Sequence, residues 1–356
     1  MTAARHRIAR LYRRHSKAVT VIGSLAATVL LVLALAGKED EFTTALNSAS
    51  VGVLLAAVAL QLVALLSRTE AWHICVQAAG GTADRRRLYR ASSMGFVGSL
   101  VNAQLGVAAR IAALRRSAPA DSPTVAPLIG AEVPIMAIEA SLGALASVTL
   151  VGPLGLPWWT PLVALAVTLL VSMVLRAAAM RSGRGILRGL AVLRSHDRHA
   201  VVLAIIMIAV FAQIARNWLL LNAVGVNASV FDATALLIGL IVLSQLPLGA
   251  TTGAAASVLI LGPHGVAAAA AAGVLLTATG TVGGLVFAAW AVSDRLWCGD
   301  RVRALRRRAS APRRRAAATT ARLRSALAAL PERERRTVEI AYFGGLTQVQ
   351  IARALA

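Results

Sequence analysis

Runs of apolar residues recur along this chain at 18–37, 49–67, 125–151, 161–175, 200–221, 234–261 and 267–292, with short basic segments between many of them. Wound as helices at 1.5 Å per residue, most of these runs match the roughly 30 Å hydrocarbon core of a bilayer. Nothing else in the sequence constrains the fold as tightly. Backbone polar groups in lipid must be satisfied within the protein, so runs of this length cross as helices. The composition agrees, since 58% of the residues are hydrophobic and 15% charged, whereas soluble domains carry roughly 25% charged residues. The expected fold is all-α: a polytopic membrane bundle followed by a small cytoplasmic helical tail.

Lys and Arg number 37 against 15 Asp and Glu, a net charge of +22 whose distribution orients the spans. Residues 1–17 form a basic head. The run 18–37 behind it is long for a signal peptide and shows no small-residue cleavage pattern, so it reads as a first span with its head inside. Loops 68–90, 110–123, 176–199 and everything after 294 are basic, whereas 38–48, 151–160 and 222–232 contain no arginine. Short basic loops face the cytoplasm. All these signs are satisfied only if the weaker run 91–109 enters and leaves on the cytoplasmic side and 234–261 begins and ends outside.

The sequence thus predicts six full spans, two broken or re-entrant elements, a membrane domain over 18–297, and both termini on the cytoplasmic side of the plasma membrane. The first element is interrupted by Gly95, Gly98, Asn102, Gln104 and Gly106, the second by Pro247, Gly249 and Gly253. Broken helices are tolerated in lipid where protein or a water-filled cavity satisfies the freed backbone, which points to a central polar cavity. Ordinary glycine-containing helices packed through small residues are the alternative. Trp158, Trp159, Trp290 and Trp297 sit where an aromatic belt is expected, and Trp72 at the inner end of the second span.

Polar residues inside the apolar runs are the site candidates. Glu132 and Glu139, seven apart, share a face of the 125–151 helix. Intramembrane acids are functional candidates, and these could bind a cationic headgroup, couple transport to protons, or clamp helices by pairing with arginine. Gln213, Arg216 and Asn217 share a face of the 200–221 helix, where Arg216 either snorkels outward as an anchor or points inward to meet lipid phosphate. Arg110, Asn102, Gln104, Gln245, Thr251 and Thr252 complete the set of polar contacts. Six scattered histidines offer no zinc site. There is no phosphate-binding GxxxxGK loop and no GxSxG elbow, and Cys75 and Cys298 suggest no disulfide framework. Neither enzymatic activity nor a metal or cofactor is expected.

Four stretches carry a resemblance: SRTEAWHICVQAAG at 67–80, SMGFVGSLVNAQLGVAARIAALRR at 93–116, the glutamate-containing helix at 125–151, and VLSQLPLGATTGAAASVLILGPHGVAAAAAAGVLL at 242–276. Together they resemble the integral-membrane domain of the lysylphosphatidylglycerol synthase family and its stand-alone flippase-like relatives, over about 15–300. Asn102, Gly106 and Arg110 are similar to the family's first re-entrant motif, with Leu105 where a proline is usual. Pro247 fits the start of the later motif, but Gly249–Thr252 replace its TPGG and Ser257 stands where the acid belongs. The resemblance implies a polytopic lipid-handling protein that moves a polar lipid or lipid-linked intermediate. Nothing here resembles the synthases' soluble aminoacyl-transfer domain.

Ten arginines and no acids occupy 301–330, so the linker 298–329 is expected to lie on anionic lipid. Residues 330–356, LPERERRTVEIAYFGGLTQVQIARALA, resemble the beginning of region 4 of sigma-70-type factors but stop before the recognition helix. Promoter DNA or RNA polymerase binding is therefore not expected. A membrane-tethered regulatory fragment, or a structural membrane protein without transport activity, is the competing function.

Overall fold

A computed structural model describes residues 35–100, 103–118, 121–181, 185–243, 252–262 and 265–328, with Val29 and Leu33 besides, and side chains as far as Trp297. Most of the 18–37 run, residues 101–102 and 244–251, and the 330–356 segment lie outside the described residues. All regular structure among the described residues is helical.

After α1 (Glu39–Ser48), α2 runs from Val51 to Ala78. Ser50 caps its start by accepting from the Val53 N–H, and Gly80, at φ +90°, turns the chain out of it. The helix does not end near Ser67 as expected. It continues through Arg68 and Glu70, which find partners on other elements, as described below. Next come α3 (Arg85–Ser99) and α4 (Ala103–Ser117), then α5 (Val125–Gly130) and α6 (Val133–Ala146), a 3-10 turn Ser147–Leu150, α7 (Thr160–Arg181) and a 3-10 segment Gly185–Arg194. The chain closes with α8 (His196–Ala223), α9 (Val230–Leu243), α10 (Thr252–Leu261) and α11 (Val266–Ala328).

Five helical stretches among the described residues are long and apolar enough to cross a bilayer: Val51–Ala78, Val125–Leu150, Thr160–Met180, His196–Ala223 and Val266–Trp297. They coincide with five of the expected spans. The outer face of α7 is apolar and exposed at Leu162, Val167, Leu170 and Val174, as a lipid-facing surface should be.

Helices α2 and α8 form the antiparallel axis of the bundle. At one end the Ser48 hydroxyl donates to the Ala223 carbonyl, and midway Gln213 Nε2 donates to Gln61 Oε1. Two large apolar cores flank a small one of Ala64, Ala209 and Ala212 along this axis. One gathers Ala57, Leu220, Leu221, Leu236 and Ile260, joining the start of α2 and the end of α8 to α9 and α10. The other gathers Trp72, Leu88, Leu114, Ile135 and Ile206, joining the end of α2 and the start of α8 to α3, α4 and α6. The pairs α3/α4 and α9/α10 are therefore helical hairpins that enter from opposite ends of the bundle.

Two helices cover the 91–109 run, α3 ending at Ser99 and α4 starting at Ala103. Gly106 lies inside α4, where a Cβ would come within 2.8 Å of the Gly95 carbonyl oxygen. Gly253 lies inside α10 and faces Gly273 of α11. Both glycines let two backbones touch and neither marks a turn. Pro247 and Gly249 lie outside the described residues.

Residues to Val292 form one compact unit and those from Ser293 a second. Within the second, the arginine-rich stretch expected as a linker is helical through Ala328.

Candidate functional site

The close approach of α3 and α4 through Gly95 and Gly106 fixes where Arg110 points. Its guanidinium lies 4.4 Å from the centroid of the Trp72 ring and pairs with Glu132. Trp72 is fully buried and so does not mark the interface that the sequence suggested. Glu132 is not on an unbroken helix either. The span interrupts at Ala131–Glu132, and Glu132 occupies the N-cap position of α6, two residues before Pro134, which has no N–H to donate. Arg110 is 8% and Glu132 3% exposed, so each charge relies on the other for compensation.

A second pair lies on the same helix face. Arg68 of α2 reaches Glu139 of α6 at 2.8 Å, but this pair is more open, with side chains 45% and 24% exposed. Of the roles left open for the two glutamates, pairing with arginine is the one the geometry displays. Arg68 and Trp72, one turn apart on α2, thus address Glu139 and Arg110 in turn.

Another face of α2 carries Glu70, which accepts from Arg85 Nε at 2.9 Å and from the Tyr89 hydroxyl at 2.7 Å, and lies 3.3 Å from His73. Tyr89 in turn meets Phe287 and Trp290 of α11 edge to face. The sequence hides this cluster because its charge pattern reads 68–90 as a basic loop. The signal was present in the spacing of Glu70, His73 and Gln77, which matches one helix face, and His73 does contact Gln77 at 2.9 Å.

Arg216 points inward and is 6% exposed, which decides against an interface anchor. Its Nη1 donates to Gln61 at 3.0 Å and Gln213 at 3.2 Å, and its Nη2 donates to Thr279 at 3.0 Å and to the Leu276 carbonyl. These acceptors are all neutral, and among the described residues no carboxylate pairs with the guanidinium. Among the described residues its Nε has no partner, and neither does the neighbouring Asn217 Oδ1. Gln61 and Thr279 were not anticipated from the sequence.

Helix α11 connects these groups in order. Gly273 meets α10, Leu276 and Thr279 meet Arg216, Gly283 meets Gln61, Gly284 meets Phe96 of α3, and Phe287 meets Tyr89. Arg216 therefore sits between the level of the second hairpin and the level of the first. Asn102, Gln245 and Thr251 lie outside the described residues.

Against this geometry stand the comparisons with known proteins. Residues 20–289, most of the chain, match the family model described as the lysylphosphatidylglycerol synthase TM region. No curated protein matches the chain.

Proposed function

Since the chain belongs to the lysylphosphatidylglycerol synthase TM-region family, we propose that this polytopic membrane protein moves a polar lipid between leaflets without covalent chemistry, the headgroup passing Arg216 between the two hairpins. The observation that carries this reading is the buried guanidinium of Arg216 surrounded only by neutral acceptors. Hydrogen bonds satisfy its Nη groups but leave its charge uncompensated in a low-dielectric interior, at a cost of several kcal/mol. A headgroup phosphate compensates that charge and matches the planar guanidinium with two oxygens. It has only to displace the amides of Gln61 and Gln213.

Arg110 and Arg68 behave differently. Each already holds a carboxylate, so a phosphate arriving there must exchange with Glu132 or Glu139. The open Arg68–Glu139 pair exchanges first, and the sealed Arg110–Glu132 pair keeps the first hairpin seated. In this reading the ends carrying Arg68 and Arg85 face the cytoplasm, and the arginine run at 301–324 lies on anionic lipid, where each charge near the surface contributes about 1 kcal/mol.

The test is a headgroup-accessibility assay in vesicles containing the purified protein and a trace of headgroup-labelled anionic phospholipid. Arg216→Gln is expected to slow inward-to-outward exchange at least about tenfold, while Arg216→Lys retains part of the rate because it keeps the charge but not the bidentate fork. An unchanged rate in Arg216→Gln, at equal incorporation, removes the basis of the reading. Orientation is checked separately by labelling single cysteines placed at Arg116 and His264 in intact cells. Position 116 should be protected and 264 reactive. The opposite result at either site inverts that hairpin.

A further inference from the structure

A cavity of about 320 Å³ lies between α6, α7, the 3-10 segment Gly185–Arg194 and α8, and neither Arg110 nor Arg216 lines it. Its volume is that of a small-ligand site. The lining is graded along the helices. At the ends where α7 stops and α8 starts it presents Arg176, His196 and His199. Much of the remaining lining is apolar, Ile138, Leu142 and Leu193 included. Met173 of α7 and Leu203 of α8 also line it and are exposed on the outer surface of the bundle, so the cavity opens sideways, toward lipid.

Three features select the occupant. The basic end has no acidic lining residue, and the nearest in sequence, Asp197, is exposed in the first turn of α8 and does not line the cavity. His199 Nδ1 is buried and has no partner among the described residues. The start of α8 adds the partial positive charge of a helix N-terminus at the same place. A neutral acyl chain alone would leave the His199 nitrogen unpaired, and a cationic amphiphile would meet three basic groups. An anionic headgroup with an acyl chain behind it complements both ends at once.

We infer that this lateral cavity is a resident site for an anionic phospholipid, its phosphate held among Arg176, His196 and His199 and one acyl chain laid along Ile138 and Leu142. The site is independent of the central path past Arg216. It ties α7, whose outer face is lipid-exposed, to α6 and α8 through a bound lipid.

The experiment photolyses the full-length protein in phosphatidylcholine vesicles doped with a phospholipid bearing a diazirine on one acyl chain. The probe is either phosphatidylglycerol or phosphatidylcholine, and labelled residues are mapped by mass spectrometry. Labelling at Leu142 and Leu193 should be at least about threefold higher with the phosphatidylglycerol probe, whereas Val167 on the outer face of α7 should label equally with both. Unlabelled phosphatidylglycerol should compete at Leu142, and inorganic phosphate at millimolar concentration should not. Arg176→Gln combined with His199→Gln should equalise the two probes at Leu142. Equal labelling of Leu142 by both probes in the unaltered protein overturns the inference without any variant being needed. So does a phosphatidylglycerol preference that is the same at Val167 as at Leu142. Neither result bears on exchange past Arg216.

Discussion

Replacing Glu132 with alanine is expected to destabilise the folded protein by about 3–5 kcal/mol, because it leaves the Arg110 guanidinium buried without its counter-charge. The measurement is thermal or denaturant unfolding of the purified protein in detergent, read alongside folded yield in membranes. The cost should come from the stranded charge and not from the lost contact. Replacing both partners with leucine should therefore recover most of the stability, and the double-mutant cycle separates the two accounts. The same change at Glu139 makes the contrast. Arg68 is nearly half exposed and can turn to water or headgroups, so Glu139→Ala should cost less than about 1 kcal/mol. Equal losses at the two glutamates would mean that burial does not govern these pairs.

Gly273→Val should produce the second large effect. A Cβ on Gly273 would come within 2.5 Å of the Ala254 Cα and the Gly253 carbonyl oxygen. Both are backbone atoms, which cannot rotate aside as a side chain can. Helices α10 and α11 must separate, at a cost of roughly 1–3 kcal/mol or more for a packed interface, and the second hairpin loses its seat. Unfolding midpoint and headgroup exchange should fall together. Gly143 of α6 serves as the control, since nothing lies within 4 Å of a Cβ there. Gly143→Ala should be neutral or should stabilise the helix by up to about 1 kcal/mol. A Gly273 variant as stable as the Gly143 variant would refute the packing role.

What the sequence revealed and what it hid follow from one distinction. Hydropathy and charge report how each segment meets lipid and water, and they located the five described spans. Partnership between segments is invisible to them. Arg68 and Glu70 look like the end of a span because each is costly in lipid alone. They remain helical because Glu139, Arg85 and Tyr89, supplied by other elements, receive them. Gly106 and Gly253 look like hinge glycines because a turning glycine and a packing glycine have the same side chain. Only the Gly95 carbonyl and the Gly273 backbone lying against them tell the two uses apart. Arg216 was legible as an inward or outward residue but not as an uncompensated one, since its neighbours Gln61 and Thr279 come from helices far away in sequence.

Helix α11 touches both hairpins, the second through Gly273 and the first through Gly284 and Phe287. Those contacts lie about 16–21 Å apart at 1.5 Å per residue, with Arg216 held to Leu276 and Thr279 between them. A tilt of this rod about that midpoint swings its two ends in opposite senses. Loosening at one mouth of the bundle is then accompanied by tightening at the other, as on a seesaw.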